Sequence, residues 1–142
     1  MRDDTILPRV RASFDRQTMM QTFGARLLAA ADGRCLIRAP ILPTVRQQQG
    51  AGHAALAFGL GDSAAGYAAL TLLPDDSEVM TVEMKINLLA PAIGEALEAT
   101  GEVVRAGRRI TVVRAEVTAI DGDRRRTVAL LQGTMIPVEN PG

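Results

Sequence analysis

Apolar and polar residues alternate in four stretches of the carboxyl-terminal part of the chain, whereas the stretch before them follows no stripe. From Thr81, Val82, Met84, Ile86 and Leu88 fall on one side and Thr81, Glu83, Lys85 and Asn87 on the other, the period of a strand with one covered face. Ala96 to Ala106 sets Leu97, Ala99 and Val103 against Glu98, Thr100 and Glu102. Arg109 to Ile120 sets Val113, Ala115 and Val117 against Arg114, Glu116 and Thr118, and Arg126 to Val138 forms the last run. Ala106-Gly107 and Asp121-Gly122 mark the turns between them. Gly52 to Leu72 is different. There Leu56, Phe58, Leu60, Ala64, Tyr67 and Leu70 share no stripe, and a helix that is apolar all round is buried all round. At 1.5 Å per residue it spans roughly 30 Å. Nearer the amino terminus, Ser13 is placed to cap a short helix through Met19, Met20 and Phe23 that Gly24 ends. Asp32-Gly33 joins two further strands within residues 25 to 41, and Pro40 and Pro43 stop regular structure before the polar run Arg46-Gln47-Gln48-Gln49-Gly50.

One long helix followed by consecutive hairpin-connected strands is an α+β pattern. A curved antiparallel sheet wrapped around that helix buries it on most sides, which is the hotdog arrangement. A chain of 142 residues accommodates one such domain, 1–142, with residues 1–23 as an amino-terminal extension and short helix. The 47% of apolar residues excludes a disordered chain, and sixteen basic against sixteen acidic residues exclude a general nucleic-acid binder. A local basic patch for one phosphorylated ligand remains compatible with that balance. Ala54 to Leu73 carries only one charge, Asp62, yet it does not predict a membrane span. It is built mainly of Ala and Gly, a central Asp is costly in lipid, and Pro74, Asp75 and Asp76 follow where basic anchors would stand. The start MRDDTILPRVR lacks the apolar core of a signal peptide, so a cytoplasmic location is expected. Cys35 has no second cysteine to pair with, and one Cys with one His is too little for a zinc site. Its place in the strand-like run Arg34 to Ile41 predicts a buried, small apolar residue.

The informative positions are polar residues in the apolar helix, because an unpartnered buried carboxylate costs several kcal/mol. Asp62 is the only charged residue between Arg46 and Asp75. It therefore has a structural hydrogen-bond partner, such as Ser63 or a strand backbone, or serves a cleft. His53, the only histidine, stands where the helix begins. Nine residues at 100° each come to roughly 900°, so His53 and Asp62 point to opposite faces and lie roughly 13 Å apart. Within one helix they form no acid–base pair, and a site that uses both must borrow one from another subunit. The helix start also offers backbone N–H groups around Ala54 and Ala55 at the positive end of the helix dipole, suited to polarising a carbonyl.

These residues together resemble a known family. Gly50-Ala-Gly-His53-Ala-Ala followed by Gly61-Asp62-Ser-Ala-Ala-Gly-Tyr-Ala-Ala69 is similar to the G-x-x-H-G-G…A-D-x-A-x-x-x-A signature of PaaI-like thioesterases, named for the phenylacetic-acid pathway. The likeness continues in Thr81-Val-Glu-Met-Lys-Ile-Asn-Leu-Leu-Ala-Pro91 and Gly101-Glu-Val-Val-Arg-Ala-Gly-Arg108, and covers residues 20 to 138. The resemblance implies hydrolysis of an acyl-CoA thioester by a dimer or a dimer of dimers, with no cofactor beyond the coenzyme A of the substrate. It implies that Asp62 is the catalytic carboxylate, either general base toward water or nucleophile. Gln47 falls where the family keeps an Asn or Gln that orients thioester or water. His53 would assist around the carbonyl, the Ala54 N–H would polarise it, and Thr81 would help hold the water. In such enzymes the carboxylate and the helix start come from different subunits. Arg105, Arg108 and Arg109 are candidates for the coenzyme A phosphates, ahead of Arg124 to Arg126. The chain departs from the signature at Ala54-Ala55, where the family has Gly-Gly, and the added methyl groups narrow the approach of the helix backbone to substrate. A hotdog domain that binds acyl-CoA without turning it over is the alternative. Dehydratase-type chemistry is disfavoured by the absence of a Pro-flanked histidine loop.

Overall fold

The computed structural model describes residues 5–139. Two short helices, α1 (Pro8–Arg16) and α2 (Thr18–Phe23), precede the hairpin β1 (Arg26–Ala31) and β2 (Arg34–Pro40). The long helix α3 (Ala54–Leu70) follows, and then β3 (Ser77–Leu88), β4 (Ala96–Ala106), β5 (Thr111–Asp121) and β6 (Arg124–Glu139). The strands form one antiparallel sheet in the order β1-β2-β4-β5-β6-β3. It packs around α3 from every strand, the hotdog arrangement. The order corrects the expectation of four consecutive hairpin-connected strands. β3 does not pair with β4 but crosses to the far edge beside β6, and β4 pairs with β2.

The absence of a stripe on α3 has its counterpart in what surrounds it. Leu56, Leu60, Ala64, Ala65, Ala68 and Ala69 are buried, and small residues set how closely the sheet approaches. A Cβ at Gly61 would stand 2.7 Å from Leu131, and one at Gly101 would overlap the backbone of Ala64. The flank that the sheet leaves open is closed by α1 and α2. Phe14 meets the Tyr67 ring at a centroid distance of 6.1 Å, and Phe23 fills the space beside Gly59. Arg9 of α1 donates to the carbonyls of Leu70, Thr71 and Leu73 at 2.9–3.2 Å and pairs with Asp75 at 2.8 Å. Carbonyls at a helix end lack intrahelical partners; that of Leu70 also accepts from the Leu73 N–H at 3.1 Å, and the one arginine both closes α3 and fastens α1 to it.

Three local expectations are corrected. Ser13 caps nothing: it lies inside α1, buried on the same stripe as Val10 and Phe14. Gly24 does end α2, with φ 66°. The β5–β6 turn is made by Gly122-Asp123, one residue beyond the expected Asp121-Gly122. β3 begins at Ser77, and a bulge between Thr81 and Glu83 shifts its alternation. Val82, expected inside, is 57% exposed, as is Leu88 at 58%; Val79, Met84 and Ile86 pack on the core instead. Cys35 is fully buried, as expected, and burial pushes its thiol pKa up.

Candidate active site

Two separate sets of residues gather along α3, one at its middle and one at its start. At its middle, Asp62 and Gly66 stand one turn apart and line a cavity of about 320 Å³. The bulge after Thr81 decides what faces them. An extra residue on one strand re-aims its neighbours, so Thr81 shares the inner face with Val79 instead of the outer face with Glu83. Its hydroxyl donates to Asp62 Oδ1 at 2.7 Å. Burial pushes the Asp62 carboxyl above its ordinary value, and the hydrogen bond from Thr81 pulls it partly back. A carboxylate held this way is more basic than one in water and, among the described residues, has its second oxygen free of side-chain partners, which suits it to take a proton.

At the start of α3 the residues are arranged by a tight loop. Gln47 Oε1 accepts from the N–H of Gln49 at 2.5 Å and of Ala51 at 3.3 Å, and its backbone N–H bonds the Ala51 carbonyl at 2.8 Å. This engages the amide oxygen and leaves the amide NH₂ as the group it can offer. Gly52 bridges to Ala92, and His53 caps the helix, its Nδ1 accepting from the Ala55 N–H at 2.8 Å. The cap places the imidazole proton on Nε2. It also takes the Ala55 N–H out of consideration, so of the two donors expected at the helix start only that of Ala54, the first helical residue, is left. Gln47 and Ala54 line a second cavity with Gly52, Leu88, Pro91 and Val128.

The structure therefore brings Asp62 together with Thr81, and Gln47 with Ala54, but does not bring the two groups together; His53 caps the helix beside Ala54 and lines neither cavity. Ala54 and Asp62 are separated by eight residues of helix, about 12 Å along its axis. Arg105, Arg108 and Arg109 line neither cavity. Their turn lies level with Thr81 on the Asp62 side, because Ala106, Thr111, Met135 and Thr81 form one row across the sheet, at about 4.8 Å per strand. Arg124, Arg125 and Arg126 line a recess with Pro91, which also borders the helix-start cavity.

One group was not anticipated from the sequence. Opposite Thr81 the Asp62 cavity is walled by Ser13, Arg16 and Gln17, joined through hydrogen bonds to Ser63, Tyr67 and Glu78. The available signal was Ser13 at positions i+3 and i−1 from Val10 and Phe14: a polar residue on an otherwise apolar stripe. Among the described residues, no group of three His, Cys, Asp or Glu side chains could hold a metal ion, and no helix is long and apolar enough to cross a membrane.

The Thioesterase superfamily matches residues 49–125, more than half of the chain, and the chain belongs to that family. A thioesterase family protein of known structure from Silicibacter pomeroyi is 38% identical, with a TM-score of 0.90 over 92% of this chain and 96% of that one. A curated protein of Saccharolobus solfataricus, classed only provisionally as an esterase, is 31% identical over 90 residues, 63% of this chain and 64% of its own length. The chain thus spans less than two thirds of that relative. The PaaI protein of the Escherichia coli phenylacetic acid degradation operon, 19% identical, shares the fold with a TM-score of 0.83 over 93% of this chain and 92% of that one.

Proposed function

We propose that the chain hydrolyses an acyl-CoA thioester to the free acid and coenzyme A, at a site that two subunits complete. Asp62 and Thr81 come from one subunit, and Gln47, His53 and Ala54 from its partner. The observation that carries this reading is the separation of the two groups into two cavities about 12 Å apart along one helix. Each has half of what thioester hydrolysis needs. A two-fold axis, which makes each interface self-complementary, sets the Asp62 end of one subunit against the helix start of the other.

Asp62 takes a proton from water as the water oxygen attacks the thioester carbon, and the carbonyl oxygen gains charge toward the partner's Ala54 N–H. The C–S bond then breaks, and the proton passes to the departing thiolate. Attack by the carboxylate itself, giving an anhydride that water opens, uses the same groups. The edge strand β3 supports the pairing: it is 12 residues long, hydrogen-bonded on one side by β6, and exposes Met80 and Val82, the kind of edge that invites a second chain. The same pairing turns Arg105, Arg108 and Arg109 of one subunit toward the side of Arg124 and Arg126 of the other, a basic rim for the coenzyme A phosphates. No cofactor is needed, and the protein acts in the cytoplasm as a homodimer or a dimer of dimers. Of the Ala54-Ala55 pair that replaces Gly-Gly, Ala54 lines the helix-start cavity and Ala55 does not; the Ala54 methyl group keeps binding without turnover as a second reading.

Thiol release from short, long and aryl acyl-CoA esters separates the two. Release above the blank for any member supports hydrolysis; tight binding of the same esters with no release supports the second reading and overturns the first. Gly66→Ala then reports on the cavity itself. The added Cβ would meet Met135 at 3.6 Å and Val79 at 3.7 Å, ordinary contact. Removing a mid-helix glycine is expected to stabilise by about 1 kcal/mol, a rise in melting temperature of about 4 °C. If this cavity holds the acyl group, kcat/KM for bulky esters falls relative to short ones.

A further inference from the structure

The wall facing Thr81 is a chain of hydrogen bonds with one consistent direction. Ser13 Oγ lies 2.9 Å from Glu78 Oε2 and 3.2 Å from Tyr67 Oη; Gln17 Nε2 lies 2.9 Å from Tyr67 Oη, and Gln17 Oε1 lies 3.1 Å from Ser63 Oγ. Each hydroxyl has one proton to give. Ser13 gives its proton to the Glu78 carboxylate, so Tyr67 must donate to Ser13, and Tyr67 must then accept from Gln17. This leaves the Gln17 oxygen to accept from Ser63. Turning the amide over would send the Tyr67 proton to Gln17 and leave Ser13 and Tyr67 facing each other with lone pairs only. The orientation of Gln17 is thus set by the network. Burial pushes the Tyr67 phenol pKa up, so it stays protonated and the chain of donors is intact at neutral pH. Both Glu78 oxygens are already engaged, by Ser13, Arg16 and the Val79 N–H. Besides the remaining N–H groups of the half-exposed Arg16, what the wall has left over is the second Gln17 N–H, a donor held by the Tyr67 and Ser63 bonds at the edge of the cavity that Asp62 lines.

We infer that Gln17 is a specificity-determining residue: its free amide N–H selects acyl groups that carry a hydrogen-bond acceptor oxygen beyond the thioester carbonyl. The inference rests on the proposed hydrolysis and deepens it by naming the substrate class. An aliphatic acyl group filling the cavity displaces the water on this N–H and leaves it unpaired, whereas a keto, ether or hydroxyl oxygen replaces that water. Discrimination of about tenfold in kcat/KM is the scale of one such hydrogen bond.

The experiment uses matched straight-chain acyl-CoA esters, each plain ester paired with oxo and hydroxy counterparts at successive carbons. The full chain is compared with Gln17→Met and Gln17→Glu. Reading the ratio within a pair cancels any general loss caused by loosening the wall. The expected result is a ratio of about ten for at least one position and near one in Gln17→Met; in Gln17→Glu, which keeps the bond from Ser63 but presents an acceptor instead of a donor, the oxo ratio falls below one while the hydroxy ratio, its hydroxyl now donating to the carboxylate, stays above the oxo ratio. A ratio of one in the unmodified protein, or a preference that survives both variants, overturns the inference while leaving hydrolysis standing. Absence of release from every ester overturns the hydrolysis instead. The same ratio is then read from dissociation constants of the intact esters, where a lack of preference overturns the inference as well.

Discussion

Asp62→Asn is expected to lower thiol release about 10³-fold and, at neutral pH, to raise the melting temperature. Asparagine keeps the oxygen that accepts from Thr81 at 2.7 Å and matches the aspartate in shape; it loses the charge and the ability to take a proton. The stability effect follows from the sign of the pKa shift. Burial lifts the folded-state pKa of Asp62 above its ordinary value, the Thr81 bond only partly opposing it. A carboxyl shifted upward contributes stability while both states are protonated, below the unfolded pKa, and loses that contribution as pH rises through the folded pKa. At neutral pH the ionised Asp62 is therefore a destabilising residue, and Asn removes the penalty. Thermal melts of both proteins across pH should show a gap in favour of Asn near pH 7 that narrows toward zero in acid. A carboxylate kept for structure would give the opposite, a melting temperature that falls on substitution. Loss of activity with a gain in stability is the signature of a group retained for chemistry.

The elements were legible where one face of a segment meets one kind of surroundings. β4 and β5 read correctly because every second residue meets α3, and α3 itself read correctly because a helix enclosed on all sides needs no stripe. Its observed ends at Ala54 and Leu70 fall two residues inside the expected Gly52 and Leu72. β3 was the place where alternation misled. A single extra residue at the bulge reverses inside and outside, which moved Val82 out and Thr81 in. Thr81 was matched by resemblance, and the bulge supplies the physical reason that it reaches Asp62. Strand order was not legible either, since the connection from Leu88 to Ala96 looks the same in sequence whether it turns back or crosses. Gln17 and Ser13 were missed because their partners are 46 to 65 residues away, beyond anything local spacing encodes. The opposite-face geometry of His53 and Asp62 was derived from residues per turn alone; of the two, only Asp62 lines a cavity, while Gln47 and Ala54 line the one at the helix start.

The proposal of a site completed by two subunits makes its sharpest prediction at Ala54, whose N–H can be deleted without disturbing the helix. Proline is well suited to the first helical position, where its missing N–H has no intrahelical role. It also requires an extended residue before it, and His53 already has φ −64° and ψ 147°. Ala54→Pro is therefore expected to melt within a few degrees of the unmodified protein and to lose about 10²-fold in kcat, the scale of one oxyanion-stabilising donor. Ala54→Gly, which keeps the N–H and removes the methyl group, is expected to retain or raise activity. Mixing settles the assignment to subunits. In a dimer of one Ala54→Pro and one Asp62→Asn chain, one site collects both defects and the other collects neither. Equal amounts, unfolded and refolded together so that subunits exchange, give mixed dimers for about half of the population and recover about one quarter of the unmodified rate. Two nearly inactive proteins thereby generate activity that neither has alone. Were Asp62 and Ala54 to serve the same site from the same chain, every site in the mixture would carry a defect and the rate would stay at the level of the parents.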